Sequence, residues 1–86
     1  MTSMYKVEPN NLSLFIRKQE KIVGKTPKQI IKEVGTPDYY WWRKAGQLPR
    51  KIERLIALAK ALGVETSLLL GISHQDYLKR IQNNFR

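Results

Sequence analysis

Apolar residues recur every three or four positions along most of the chain, which is the spacing of one face of an α-helix. The first such segment includes Leu12, Phe15 and Ile16. Asn11 is a residue type that caps helix N-termini, and Gly24 can adopt the left-handed backbone that ends a helix. The pattern predicts a first amphipathic helix between Asn11 and Gly24.

Two short helices are predicted between residues 26 and 46, separated by Gly35. Thr26 can accept a hydrogen bond from the Gln29 amide while Gln29 reaches back, and the proline after Thr26 suits the first helical position. Gly35 can take the backbone conformation that ends this helix. The next two residues repeat the threonine-proline start. We expect a second helix over residues 27–34 and a third over residues 37–44 that stops at Gly46.

The clearest amphipathic helix follows Pro49, which we interpret as another helix start. It has an apolar face with basic residues on its other sides, and Gly63 follows as a stop. Residues 65–70 predict a short fifth helix that ends at Gly71. The segment beyond Ser73 has helical spacing and is either a sixth helix or a dimerisation arm. The apolar face predicted for the fourth helix comprises Ile52, Leu55, Ile56, Ala59 and Leu62.

These elements predict one all-α domain, because no strand pattern of convincing length interrupts them and 86 residues suit a single domain. We expect the helices to form a compact five-helix domain over residues 11–72. Residues 1–10 are polar and unpatterned, which predicts a flexible N-terminal arm. Residues 73–86 are interpreted as a C-terminal tail.

Charge narrows the choice of partner. Sixteen Lys and Arg residues against seven Asp and Glu give a net charge of +9, which favours a polyanionic partner such as nucleic acid or an anionic membrane surface. No apolar run approaches the ~20 residues of a membrane span, and residues 1–10 lack the apolar segment of a signal peptide. The absence of cysteine fits a reducing compartment. We expect a cytoplasmic protein with no membrane partner.

The sequence offers little for catalysis. It has no cysteine, a single histidine (His74), no H-E-x-x-H motif and no glycine-rich phosphate loop, and no two acids are paired on a helix face. We therefore expect no enzyme activity, no metal site and no cofactor.

One segment adds a family resemblance. The string L-A-K-A-L-G-V-E-T-S-L-L-L-G at Leu58–Gly71, set after two short helices, resembles the fourth and fifth helices of the lambdoid phage repressor and Cro family. Gly35 matches the family's turn glycine, and W-x-x-x-G-x-L-P at Trp42–Pro49 resembles a signature of short Cro-like phage proteins. The resemblance covers about residues 11–71. It implies a helix-turn-helix domain whose third helix enters the DNA major groove.

The resemblance also implies which positions lie in the core, although this sequence departs from the family pattern at some of them. Ile30, Val34 and Trp41 fall on family core positions, so we expect Trp41 to be buried and Trp42 to be partly exposed beside the groove. Ile31 and Lys44 depart from the family's usual alanine and core aliphatic. The Gly35 turn and the Trp42 signature differ in register by two residues.

The resemblance implies a sequence-specific DNA-binding regulator, a Cro-like repressor that binds as a homodimer to an inverted repeat. The alternative is an antitoxin-type protein that masks a toxin and autoregulates its promoter. A third hypothesis is a basic adaptor that binds no specific DNA.

The side chains predict particular base contacts. Arg43 is suited to contact guanine, and Asp38 is suited to contact cytosine. The expected base-contacting residues are Asp38, Tyr39, Trp42 and Arg43. The expected phosphate-contacting residues are Lys28, Gln29, Lys44, Gln47, Arg50 and Lys51.

Overall fold

The computed structural model describes residues 9–84, and within them the chain is all-helical, with five helices and no strand. The all-α class expected from the sequence is confirmed for this part of the chain. Most of the predicted N-terminal arm and the last two residues lie outside the described residues. The helices are α1 (Asn11–Val23), α2 (Pro27–Val34), α3 (Tyr39–Ala45), α4 (Ile52–Leu62) and α5 (Thr66–Asn84).

Local hydrogen bonds fix the first two helices. The cap of α1 is Asn10 and not Asn11 as predicted. The side-chain oxygen of Asn10 accepts from the backbone amide of Ser13 at 2.9 Å, and the backbone amide of Asn10 donates to the Ser13 hydroxyl at 3.0 Å. The predicted capping box of α2 is confirmed: the Thr26 hydroxyl accepts from the Gln29 amide, and the Gln29 side chain accepts from the Thr26 amide. Gly24 ends α1 and Gly35 ends α2 in the left-handed conformation, as expected.

Two helices begin later than their prolines predicted. α3 starts at Tyr39 and not at Pro37, because the Thr36 hydroxyl accepts from the Asp38 amide at 3.2 Å and holds a turn before the helix. α4 starts at Ile52 and not at Pro49, because Lys51 is still extended. The intervening segment keeps Leu48 and Pro49 half-buried, so the loop packs against the domain.

All five helices contribute to one small core. α4 packs against α2, α1 and α5, with fully buried Leu58 near the centre of its inner face. The predicted face is correct for Leu55, Ala59 and Leu62 and wrong for Ile52 and Ile56, which are 60% and 54% exposed. The buried residues are Leu12, Ile16, Ile30, Val34, Tyr39, Trp42, Leu55, Leu58, Ala59, Ala61, Leu62 and Leu69.

α5 continues through Gly71, so the predicted stop at Gly71 is wrong, whereas the helical alternative for the segment beyond Ser73 is confirmed as far as Asn84. A tertiary contact holds its second half. The Asp76 carboxylate, 8% exposed, accepts from the backbone amides of Asn11 at 3.2 Å and Leu12 at 2.9 Å. Asp76 therefore satisfies two of the unpaired amides at the start of α1 and ties α5 to it.

Among the described residues, no single helix is long and apolar enough to cross a membrane. α4 and residues 66–82 of α5 meet the length and hydropathy requirement only when they are joined across a 105° bend.

Candidate nucleic-acid interface

The inner face of α3 carries two aromatic rings three positions apart. Tyr39 is fully buried and Trp42 is 7% exposed, and the two rings meet edge to face with centroids 6.4 Å apart. Residues three apart share a helix face, whereas Trp41 points away and is 48% exposed. The expectation that Trp41 is buried and Trp42 partly exposed is therefore wrong. Trp42 and Tyr39 belong to the core and not to the surface expected to contact bases.

Glu20 of α1 accepts hydrogen bonds from the polar groups on this inner face of α3. The Tyr39 hydroxyl donates to Glu20 Oε2 at 2.5 Å, and Arg43 donates from Nε to Oε2 at 2.7 Å and from Nη2 to Oε1 at 2.9 Å. Glu20 itself is 7% exposed. Arg43, expected to contact guanine, thus makes a bidentate ion pair inside the protein.

The protonation states reinforce this arrangement. Burial, followed by the hydrogen bond to Glu20, raises the pKa of Tyr39 far above its usual range. The Glu20 hydrogen bonds raise the pKa of Arg43 as well. The phenol therefore stays neutral, and the positive charge of Arg43 is compensated by the neighbouring carboxylate. Tyr39 and Arg43, two of the four residues that were expected to contact bases, instead fix α3 against α1.

Glu20 was missed in the sequence because acidic residues are expected on solvated faces. Its position carried the available signal, since it lies four residues after buried Ile16 and so continues the apolar stripe of α1. A lone carboxylate on such a stripe indicates a buried partner of opposite charge.

The outer face of α3 presents a different set of side chains. Tyr40, Trp41 and Lys44 of α3 are exposed, and so is Asp38, which directly precedes the helix. The Trp41 indole Nε1 donates to Gln47 Oε1 at 3.0 Å, which holds the ring against the loop that follows α3. Trp41 is thereby a partly fixed aromatic surface and not a freely rotating one.

A groove of about 480 Å³ lies beside Trp41 on the side of α4. We call it the Arg50 groove. Three basic residues and one acidic residue line it, so its charge is net positive, and its floor includes Trp42 and Leu48. The lining side chains that bear on function are Asp38, Trp41, Gln47, Arg50, Lys51 and Arg54.

A second groove, of about 610 Å³, lies on the other side of Trp41, and we call it the Arg80 groove. It is bounded by the start of α1, the end of α3 and the second half of α5. Trp41 and Gln47 line both grooves. Its principal polar residues are Asn10, Asp76, Lys79 and Arg80.

The residues expected to contact phosphates do not all lie together. Gln47, Arg50 and Lys51 come together in the Arg50 groove, and Lys44 is exposed on α3. Lys28 and Gln29 are exposed at the start of α2 but line neither groove, and Gln29 is engaged in its capping box. The six positions therefore do not form a single lined site.

Among residues 9–84, no group of three or more His, Cys, Asp or Glu side chains is placed to hold a metal ion. Comparisons of the chain with protein-family models, curated proteins and solved structures found no match. The function is therefore inferred from the chain's own residues and their arrangement.

Proposed function

We propose that the protein is a sequence-specific regulator of transcription that binds double-stranded DNA, with α2 and α3 acting as a helix-turn-helix and α3 entering the major groove. The observation that carries the proposal is the surface around Trp41, where a half-exposed aromatic ring stands beside the basic Arg50 groove. A net charge of +9 supports a polyanionic partner.

The outer face of α3 has the chemistry to contact base edges. The major groove of B-DNA admits one α-helix and presents donors, acceptors and the thymine methyl group. The Asp38 carboxylate can accept from a cytosine amino group, and the Trp41 ring offers apolar contact to a thymine methyl. Gln47, held beside that ring at 3.0 Å, carries the amide that pairs with adenine. We propose Asp38, Trp41 and Gln47 as the base-contacting set.

The charge of the Arg50 groove suits the sugar-phosphate backbone. Arg50 and Lys51 are exposed in the loop that leads into α4, and they line the same groove as Trp41. Cationic side chains that flank a helix in the major groove fix its register through phosphate contacts without reading sequence. Lys44, exposed on α3, is proposed for the same role.

The homodimer on an inverted repeat stays a prediction. α5 carries apolar side chains that are 44–55% exposed, and these are the candidate surface for a second copy. Two copies related by a two-fold axis bind half-sites about 34 Å, or one helical turn, apart. The antitoxin alternative also stays a prediction, since no feature of the described residues favours a toxin partner over DNA.

Trp41→Ala is expected to reduce the preference for a duplex selected from a random pool over a scrambled duplex by about 5- to 150-fold, which corresponds to the ~1–3 kcal/mol of discrimination that a good base contact contributes. Lys51→Gln is expected to weaken binding to both duplexes equally and to reduce the magnitude of the log-log salt slope by about 0.9 for each phosphate contact that is lost. Fluorescence-anisotropy titrations of both duplexes at several salt concentrations measure both effects.

The matched control is Lys60→Gln, which removes one charge near the other end of α4, about 13 Å along the helix from Lys51. It should leave the salt slope unchanged. Circular dichroism melting confirms that each variant is folded. Equal, sequence-independent losses for Trp41→Ala and Lys51→Gln would rule out Trp41 as a base-contacting residue.

A further inference from the structure

We propose that the DNA interface extends past Trp41 onto the second half of α5, where Lys79 and Arg80 bind a further stretch of the duplex's sugar-phosphate backbone in the Arg80 groove. This inference rests on the proposed function and adds to it a phosphate-binding surface more than thirty residues distant in sequence from α3.

The Arg50 groove and the Arg80 groove lie side by side and share two lining residues. Trp41 and Gln47 line both of them, and these two side chains are hydrogen-bonded to each other at 3.0 Å. A ligand that covers the exposed Trp41 ring therefore lies at the edge of both grooves. A DNA strand that leaves the Arg50 groove along this surface reaches Lys79 and Arg80 next.

The charge of the Arg80 groove favours an anion. Lys79 and Arg80 are exposed, and neither makes an ion pair with any carboxylate in residues 9–84. The one acidic residue in the lining, Asp76, is buried, and both of its oxygens accept from the start of α1. The carboxylate is thus compensated by helix amides, while the two cations are left for an external partner.

A chain of hydrogen bonds fixes these cations relative to α3. Asp76 binds the amides of Asn11 and Leu12, and the neighbouring Asn10 side chain donates to the carbonyls of Ala45 at 3.3 Å and Gly46 at 3.1 Å. The end of α3, the start of α1 and the middle of α5 are therefore joined at one point. Lys79 lies less than one turn beyond Asp76 on α5, so its position relative to Trp41 is set by the fold.

Phosphate groups of duplex DNA fit this surface better than a small anion. The groove is open and broad, at about 610 Å³, and both of its cations lie at exposed positions of α5. Such an arrangement neutralises a polyanion that runs across it, and each phosphate contact releases bound counterions. The contact adds affinity and carries no base preference.

The test is the double variant Lys79→Gln/Arg80→Gln, which removes two charges from exposed helical positions. Its matched control is Arg17→Gln/Lys18→Gln, an adjacent exposed pair on α1 that lines neither groove. Salt-dependent titrations of the wild-type protein and both variants use the selected duplex and a scrambled duplex. Melting curves verify that the variants fold.

We expect the magnitude of the log-log salt slope of the Lys79/Arg80 variant to fall by about 0.9 for each lost phosphate contact, counted over both copies where a dimer binds, with the preference for the selected duplex unchanged. The control variant should keep the wild-type slope. A wild-type slope in the Lys79/Arg80 variant, or the same fall in both variants, overturns the inference.

These outcomes are separable from the proposed function. If the wild-type protein prefers the selected duplex and Trp41→Ala removes that preference, the proposed function stands whatever the Lys79/Arg80 variant does. If the wild-type protein shows no preference for any duplex, the proposed function and this inference both fail. Binding of wild-type protein to anionic vesicles that is lost in the Lys79/Arg80 variant, with an unchanged slope on DNA, would assign the surface to lipid and overturn the inference.

Discussion

Replacing Arg43 by methionine is expected to lower the free energy of unfolding by about 3 kcal/mol, at the lower end of the range for breaking a buried ion pair because Arg43 keeps some solvent contact. The loss arises because the Glu20 carboxylate, 7% exposed, is left without its bidentate partner. Urea unfolding followed by circular dichroism measures it. Arg17→Met, at an exposed position of α1, is the control and should cost well under 1 kcal/mol.

The double variant Glu20→Gln/Arg43→Met separates charge from packing. The neutral glutamine side chain still accepts from the Tyr39 hydroxyl but leaves no unpaired charge, so we expect the double variant to recover a large part of the lost stability. A single Arg43→Met variant as stable as the wild type, with reduced preference for one DNA sequence, would contradict the structural role. That result would restore the base-contacting role that the sequence had suggested for Arg43.

Gly46→Ala is expected to cost about 2–4 kcal/mol, the sum of left-handed backbone strain and a lost helix cap. Gly46 has a φ of +67°, and a Cβ placed there would stand 1.7 Å from Asn10 Oδ1. The Asn10 side chain cannot move aside without releasing the Ser13 amide and the end of α3. Thermal and urea unfolding measure the loss.

Gly24→Ala provides the matched comparison, because Gly24 has a similar φ of +70° and a Cβ placed there would have no atom within 4 Å. It should cost only the backbone strain, about 1–2 kcal/mol. Equal losses of stability at the two glycines would show that the contact between Asn10 and Gly46 does not contribute to the free energy of unfolding. The proposed role of this contact in joining α1 to α3 would then be wrong.

Features with local causes were predictable from the sequence. The capping box of α2 depends only on Thr26, Gln29 and the proline between them, and Gly35 ends the helix through its own backbone freedom. The boundaries of α2 were correct for that reason. The same logic failed after Pro37 and Pro49, because a proline permits a helix start without requiring one.

Features with tertiary causes were not predictable in this way. α5 continues through Gly71, and Asp76, five residues later, anchors the helix to the start of α1. The inner face of α3 was misjudged because the Glu20 network draws in an arginine, partly buried, that periodicity assigns to solvent. The family resemblance predicted that Trp41 lies in the core. In the structure the core is filled instead by Tyr39 and Trp42, which are three positions apart on α3.

The candidate site was predicted in part. Gln47, Arg50 and Lys51 come together in the Arg50 groove with Asp38, as neighbours in sequence can be expected to do. Trp41 takes the exposed position that had been expected for Trp42. Nothing in the sequence indicated that Lys79 and Arg80 lie near the candidate site, because only the anchoring of α5 at Asp76 brings them beside α3.

Sequence-specific DNA binding is the central claim, and selection from a random duplex pool by the wild-type protein tests it most directly. We expect the bound fraction to converge on an inverted repeat with half-sites about one helical turn apart, and the same selection with Trp41→Ala to lose definition at one or more positions of each half-site. A bound pool that stays random after repeated rounds, while the protein is folded, would contradict the claim.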